Sequence, residues 1–217
     1  PGPRQGRVRG GLPRTEGGRR AGKEEQYLEI VCRGAEGLTA PIGNVLDFAA
    51  RERGQTKYAL EGRRLEDGVG QALDTFRYRV EREGTEVQLD VLGALPPVRI
   101  DEQAIVLALV NLLDNAVKYG QRTPITVSVE HVRDYVQVRV RDRGPGLSDD
   151  ALEQAFDAFY TTKEAGSGMG LGLSISFNII EDFGGHLTAA NHPEGGGLFA
   201  MILRPAEAPD AAPMVAE

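Results

Sequence analysis

The chain has 217 residues, a formal net charge of −7 and 41% hydrophobic residues, which suits one or two globular domains with a hydrophobic core. No apolar run approaches the roughly 18 residues of a membrane-spanning helix and no signal peptide is recognisable, so this part of the chain is expected to be soluble. The single cysteine, Cys32, excludes an internal disulfide and favours a reducing cytoplasm.

Both ends of the chain have the composition of disordered segments. Residues 1–22 contain six arginines and one glutamate among many glycines and prolines, too little apolar surface to offset the entropy lost on ordering. An arginine-rich arm could bind nucleic acid or acidic lipid, but it lacks aromatic residues to stack on bases, so we favour a solvated tail and expect no nucleic-acid partner. Residues 206–217, rich in alanine, proline and acid, are expected to form a second loose tail.

Between the tails, the pattern predicts a mixed α and β domain over residues 55–205. Before it, helical spacing extends over residues 24–53, although three glycines and Pro41 weaken a helix there. Residues 65–82 are predicted to form a second helix, and residues 85–91 alternate like a half-buried strand.

The clearest predicted helix covers residues 101–119, where Asp101 can cap the first turn. Its apolar face contains Ile105, Leu109, Leu112, Leu113 and Ala116. Residues 125–130 and 135–141 then alternate as the strands of a hairpin, with residues 131–134 as its turn.

A last helix is predicted over residues 171–183, ended by Gly184 and Gly185, and strands are predicted over residues 186–190 and 198–203. Together the elements indicate an α+β fold. We expect a two-layer α/β sandwich in which helices pack on one face of a mixed sheet.

Asn111, Asn115 and Lys118 are spaced so that they project from one face of the helix over residues 101–119. Its leucine face is expected to pack on the sheet, so this polar face is left for a ligand. Magnesium prefers oxygen ligands and keeps several waters, which makes the amide oxygen of Asn115 the predicted ligand. Lys118 would neutralise a terminal phosphate. The alternative is a solvated helix face with two asparagines by chance.

Asp142 follows a predicted strand and precedes a turn containing Gly144 and Gly146. A carboxylate there can accept a hydrogen bond from the exocyclic amino group of adenine, which guanine does not present at that position. The nucleotide would then be ATP. On its own an aspartate before glycine is typical of an ordinary turn, so the prediction depends on the neighbouring motifs.

Downstream, residues 156–163 lead into four glycines at alternate positions, Gly166, Gly168, Gly170 and Gly172. Such glycines let backbone N–H groups approach a ligand closely, and the helix that begins near Leu171 directs its positive end to the same place. Polyphosphate is the expected occupant.

In this order, the motifs resemble the N box, first glycine box, F box and second glycine box of sensor histidine kinases of two-component systems. The resemblance covers roughly residues 57–205. Residues 172–187, with residues 191–196 after them, look most similar to the dicarboxylate- and nitrogen-sensing branch. The resemblance implies the Bergerat ATP-binding fold of the GHKL superfamily, shared with type II topoisomerases, heat-shock chaperone ATPases and mismatch-repair ATPases.

The resemblance also implies ATP and Mg²⁺ as cofactors, with Asn115 on the metal, Asp142 on adenine and residues 162–172 as a mobile lid. The residues that it assigns to ATP binding are Asn111, Asn115, Lys118, Tyr119, Asp142, Gly144, Gly146, Thr161, Thr162, Lys163, Gly168, Met169, Gly170, Leu171, Gly172 and Leu173.

In the hydrolysing relatives, a glutamate four positions before the magnesium asparagine acts as general base. Here that position is Asn111, and an amide cannot take the proton. We therefore expect the site to pass the γ-phosphate to a delivered acceptor and not to hydrolyse ATP quickly. By resemblance, the acceptor is a histidine on a dimerising hairpin, which relays the phosphate to the receiver domain of a response regulator, and the full-length protein is a homodimer.

The phosphoacceptor histidine is not found in this chain. His131 lies in the predicted hairpin turn, while His186 and His192 flank a late strand, so surface or structural roles are expected for all three. No second histidine or cysteine lies at zinc-ligand spacing. No catalytic residue is therefore identified.

Residues 23–54 resemble the second helix of the hairpin, which in this family leads directly to the sheet near residues 57–60. Alternatively, residues 38–42 imitate the histidine box itself, with Glu36 in place of the histidine, but the distance to Asn115 is too short for a second helix. We favour the first interpretation. The helix that carries the acceptor histidine would then have been lost in one of two ways. One is truncation, which a chain that begins with proline suggests, and the other is divergence.

Two other functions stay open at this point. A degenerate kinase could bind nucleotide and signal without catalysis, although the intact pocket residues argue against decay. A serine kinase of the anti-sigma type shares the fold and would leave acid-stable phosphate on a partner protein.

Overall fold

The computed structural model describes residues 57–162 and 169–206. The predicted N-terminal tail and hairpin helix, and the C-terminal tail beyond Ala206, lie outside the described residues. In the order of the chain, the helices are α1 (Leu65–Glu83), α2 (Glu102–Tyr119), α3 (Asp149–Glu153) and α4 (Gly172–Asp182). The strands are β1 (Glu61–Arg63), β2 (Val87–Leu92), β3 (Val98–Ile100), β4 (Ile125–Val132), β5 (Tyr135–Arg141), β6 (His186–Asn191) and β7 (Gly197–Leu203).

Five strands form one mixed sheet in the order β2-β4-β5-β7-β6. Strand β2 runs parallel to β4, and the remaining neighbours are antiparallel. Helix α2 packs between α1 and α4, and its apolar face is buried together with one face of the sheet. The predicted α+β sandwich of helices over a mixed sheet is confirmed.

A second, two-stranded sheet was not predicted. Strand β1 pairs antiparallel with β3, and each strand has only three residues, too few for a recognisable alternation. Residues 57–60, near which a sheet was expected to begin, form no strand themselves; they lead into β1, which pairs with β3 and not with the five-stranded sheet. Helix α3, a single turn capped by the Ser148 hydroxyl, was also missed.

The hairpin between β4 and β5 has a shorter turn than predicted. Strand β4 continues to Val132, so His131 lies in the ladder opposite Val136. The turn consists of two residues, Arg133 and Asp134, and Arg133 has a φ of 54°. Two-residue hairpin turns favour positive φ because their twist matches that of the strands. Within the described ranges, none of the helices combines the length and apolar character of a membrane span.

Asp101 caps α2 as predicted. Its Oδ1 accepts hydrogen bonds from the N–H groups of Gln103 and Ala104, both at 3.1 Å. Its Oδ2 accepts another from Ala59, at 3.0 Å. One carboxylate therefore starts the central helix and anchors the segment that precedes β1.

Replacing Asp101 by alanine is expected to lower the free energy of unfolding by about 1–2 kcal/mol, because the helix loses its cap. Asp101→Asn keeps an acceptor for the two helix amides and should lose less than half as much. Urea unfolding of the two variants measures the difference. Equal losses would show that the cap does not depend on the acceptor oxygen.

Candidate functional site

The predicted motifs come together around α2. The Asn111 side-chain nitrogen donates to the carbonyl of Gly172, at the start of α4, over 3.2 Å. At the other end of α2, Gly144 packs on Tyr119 and Gly120 so closely that a Cβ would lie 2.8 Å from the Tyr119 carbonyl oxygen. Helix α2 thus contacts both the turn after β5 and the first residue of α4.

Asp142 lies at the end of β5 and is 5% exposed. Its Oδ1 accepts hydrogen bonds from the N–H groups of Gly144, at 2.8 Å, and Gly197, at 3.2 Å. No described residue donates to Oδ2. The carboxylate is therefore fixed by the backbone, and one of its oxygens is left for a ligand that can donate a hydrogen bond.

The turn after Asp142 is held by residues from several elements. Asn191, at the end of β6, uses both ends of its amide: Oδ1 accepts from the Leu147 N–H at 2.7 Å, and Nδ2 donates to the Leu147 carbonyl at 2.8 Å. Gly146, with a φ of 78°, leaves the room that Asn191 needs. Thr123 accepts from the Arg143 N–H at 3.0 Å. This role of Asn191 was not predicted from the sequence, in which its place before a glycine-rich turn is the only signal.

Gly196 allows β7 to approach the same turn. Its φ is 92°, and a Cβ there would overlap the carbonyl oxygen of Asp142. The neighbouring Gly195 has a φ of 91°, yet a Cβ there would meet nothing within 4 Å. Both glycines have a positive φ that would strain any other residue. They differ only in the space available for a Cβ.

Alanine at Gly195 is expected to destabilise the fold by about 1–3 kcal/mol, through the positive φ alone. Alanine at Gly196 should lower the free energy of unfolding by at least about 2 kcal/mol more than alanine at Gly195, because the overlap forces the backbone apart. It should also weaken nucleotide binding, since the Gly197 N–H would no longer reach Asp142. Thermal unfolding and nucleotide titration of both variants test this, and equal behaviour would contradict it.

The Asn111 amide is largely used within the protein. Besides its bond to Gly172, its nitrogen lies 3.3 Å from the Ser176 hydroxyl. Ser176 is fully buried and lies within hydrogen-bond distance of the carbonyls of Gly172, at 2.9 Å, and Ala108, at 3.3 Å. Of the Asn111 amide group, only the oxygen is therefore left to contact a ligand. Ser176 joins α2 to α4, a contact that was not predicted from the sequence.

Asn115 is half-buried on the same row of α2 as Asn111, and no described residue hydrogen-bonds its amide. A partly shielded amide oxygen with no protein partner is a suitable ligand for a hard cation. The donor chemistry therefore fits Mg²⁺, with Asn115 as the residue that would hold it.

Lys118 is also on this row, one turn after Asp114, and its ammonium group pairs with the Asp114 carboxylate. Its side chain is 30% exposed, so it can still reach a bound anion. Tyr119, the last residue of α2, is 39% exposed.

The segment that resembles the F box is anchored at both ends. The rings of Phe156 and Phe177 stack with centroids 5.1 Å apart, which fixes the segment on α4. The Phe159 N–H donates to the Gly170 carbonyl at 3.0 Å. Gly170, with a φ of 65°, packs where a Cβ would overlap the carbonyl of Tyr160. Residues 159 and 170 are therefore held side by side.

Between these two ends lie Thr161 and most of the predicted lid, residues 162–172. Thr161 is half-buried, Thr162 is exposed and Met169 is 39% exposed. Lys163 and Gly168 lie outside the described residues.

Helix α4 has no side-chain cap at its first turn. The N–H groups of Gly172, Leu173 and Ser174 have no acceptor among the described residues, as is usual for a helix start that binds an anion. Leu171 is 2% exposed and belongs to the core, so any contact that it makes with a nucleotide would come from its backbone.

Comparison with known proteins agrees with this geometry. Residues 100–207 match the family described as histidine kinase-, DNA gyrase B- and HSP90-like ATPases. The chain is 31% identical over 199 residues to the signal transduction histidine-protein kinase AfsQ2 of Streptomyces coelicolor; the match covers 90% of this chain and 36% of AfsQ2. It is 33% identical over 196 residues to the C4-dicarboxylate transport sensor protein DctB of Pseudomonas aeruginosa, covering 88% of this chain and 30% of DctB.

Among solved structures, full-length ShkA in complex with AMPPNP superposes with a TM-score of 0.72 at 25% identity, covering 86% of this chain and 40% of ShkA. The resemblance to sensor histidine kinases is confirmed. The match to DctB fits the dicarboxylate-sensing branch, but AfsQ2 is similar over as much of this chain, so the branch stays a prediction. The chain spans about a third of the length of the two curated relatives.

Proposed function

Residues 100–207 of this chain belong to the histidine kinase-, DNA gyrase B- and HSP90-like ATPase family, and on this basis we propose that the chain is the ATP-binding catalytic part of a two-component sensor histidine kinase. It transfers the γ-phosphate of ATP to a histidine on a hairpin domain, from which a response regulator receives the phosphate. The full-length protein pairs as a homodimer through that hairpin. Because it consumes ATP, the catalytic part lies on the cytoplasmic side of any membrane anchor.

The Asp142 carboxylate is the observation that supports this proposal most directly. Two backbone N–H groups hold one oxygen, and the other can accept a hydrogen bond from the amino group of adenine. Guanine presents a carbonyl at that position, and two acceptors would repel each other. The site therefore selects ATP.

The phosphates of ATP extend from this point toward the start of α4. The free N–H groups of its first turn bind phosphate oxygens, as helix N-termini do in general. Lys118 adds one positive charge. Asn115 would hold Mg²⁺, which when bound neutralises phosphate charge and orients the leaving group.

The Asn111 side chain favours transfer of the γ-phosphate to an acceptor over hydrolysis of ATP. It occupies the position of the general base in the hydrolysing relatives, but its amide cannot take a proton from water, and its nitrogen is bound to Gly172 and Ser176. In the proposed transfer, an imidazole nitrogen of the hairpin histidine attacks the γ-phosphorus. A phosphorus–nitrogen bond forms as the bond to the bridging oxygen breaks, and ADP leaves with that oxygen.

Phosphate transfer to a separate hairpin tests the proposal. The purified chain, incubated with Mg²⁺ and γ-labelled ATP, should not label itself, because no acceptor histidine precedes the catalytic part. It should label a hairpin domain taken from a related sensor kinase, and the label should be lost in acid, as phosphohistidine is. A hairpin with its histidine replaced by glutamine is the control.

Other outcomes distinguish the alternatives. ATP binding without transfer to any hairpin would contradict the kinase and favour a nucleotide-binding signalling module. Acid-stable label on the serine of an added protein would identify a serine kinase of the anti-sigma type.

A further inference from the structure

Three charged residues connect α1 to the ligand-binding row of α2. The Asp114 carboxylate pairs with Arg79 of α1, where Nη1 and Oδ1 are 2.7 Å apart. Its second oxygen pairs with the Lys118 ammonium, one turn later on α2. The Asp114 side chain is 19% exposed, compared with 30% for Lys118 and 36% for Arg79. The carboxylate is therefore partly shielded and lies between two more exposed cations.

Two members of this cluster, Arg79 and Asp114, lie beside the proposed nucleotide site, and the third, Lys118, is one of its binding residues. Asp114 directly precedes Asn115 and lies three residues after Asn111, so on a helix it flanks the row that these asparagines share with Lys118. Arg79 reaches it from α1, which packs against α2. Arg79 lies outside the motifs that predicted the site, and Asp114 lies within the motif of residues 111–119 but was given no role there.

The pairing changes what Lys118 can do. A free lysine side chain samples many rotamers and loses conformational entropy when it is fixed on a ligand. A lysine already held by a carboxylate has lost part of that freedom, and its ammonium group still has donors for a phosphate. Asp114 alone would repel phosphate, but Arg79 balances its charge. The cluster keeps a net charge of +1 while Lys118 is restrained.

We infer that Asp114, balanced by Arg79, is a positioning residue that holds Lys118 for the polyphosphate of ATP. The inference rests on the proposed function and extends it, because it makes α1 part of the binding site. Asp114 does not touch the nucleotide; its effect depends on Lys118 and is limited to the phosphates.

The double variant Arg79→Gln/Asp114→Asn tests this at constant net charge, since it removes one positive and one negative charge. We expect it to bind MgATP about five- to tenfold more weakly, in line with the entropy of an unrestrained lysine. Its affinity for adenosine, which has no phosphate, should not change. Calorimetry measures MgATP binding, and displacement of a fluorescent ATP analogue measures adenosine binding.

A matched control is the variant Arg77→Gln/Asp74→Asn, which removes an exposed pair on the outer side of α1 and should change neither affinity. In a Lys118→Met background, the Arg79 and Asp114 changes should have no further effect. Unchanged or tighter MgATP binding, an equal loss for adenosine, or a further loss in the Lys118→Met background would each overturn the inference. If the unmodified chain fails to bind MgATP, the proposed function itself fails, and this inference with it.

Discussion

Replacing Asp142 by asparagine is expected to lower the affinity for ATP by roughly 30- to 1,000-fold, or about 2–4 kcal/mol. An asparagine oxygen can still accept from the Gly144 and Gly197 N–H groups, so the turn should persist. Its amide nitrogen would then take the place of Oδ2 and face the amino group of adenine. Two donors would meet where an acceptor is needed, and a charge-assisted hydrogen bond would be lost.

The same substitution should change the base preference. A donor at this position can bond to the carbonyl oxygen of guanine, so the preference for ATP over GTP should shrink or reverse. Competitive titration of both nucleotides measures this ratio. Asp134→Asn, in the exposed turn between β4 and β5, is the control and should leave both affinities unchanged. If Asp142→Asn keeps full ATP affinity, the assignment of this carboxylate to adenine is wrong.

Replacing Asn115 by alanine is expected to lower phosphate transfer to a hairpin domain by about 100- to 1,000-fold, the effect of losing several kcal/mol of metal-assisted stabilisation. The fold should tolerate the change, because no described residue hydrogen-bonds the Asn115 amide and no partner is orphaned. Binding of ATP in the presence of Mg²⁺ should fall to the level seen with a chelator.

Gln103→Ala, which removes an exposed amide from the first turn of the same helix, is the matched control and should keep both transfer and magnesium dependence. Titration of Mg²⁺ at fixed ATP separates metal binding from nucleotide binding. If Asn115→Ala responds to Mg²⁺ as the unmodified chain does, another group holds the metal.

Much of the fold could be predicted because its central elements carry strong local patterns. Helix α2 combines an aspartate cap with leucines at helical spacing, and both features act within a few residues of each other. The main strands are long enough to alternate. Strands β1 and β3 were missed because three residues show no period, and β1 is determined by its pairing with β3, far along the chain.

The candidate site was predictable as a set of motifs but not as a set of contacts. Asn111, Asn115 and Asp142 were identified from residue type and position. Asn191 and Ser176 were not, because they act on groups 44 and 65 residues away in the chain, and neither residue type is unusual at a strand end or within a helix. The Arg79–Asp114 pair was not predicted for the same reason. The spacing of residues along one helix or strand does not show which residues of another element pack against it.

The bond between the Phe159 N–H and the Gly170 carbonyl closes a loop whose length the rest of the fold does not determine. Since the protein itself brings these two positions together, the connection between them can be lengthened or rewritten at an entropic cost that grows only with the logarithm of its length. Changes there need not disturb the sheet or the helices. The sequence between the two positions can therefore be exchanged while the frame that holds its two ends stays intact.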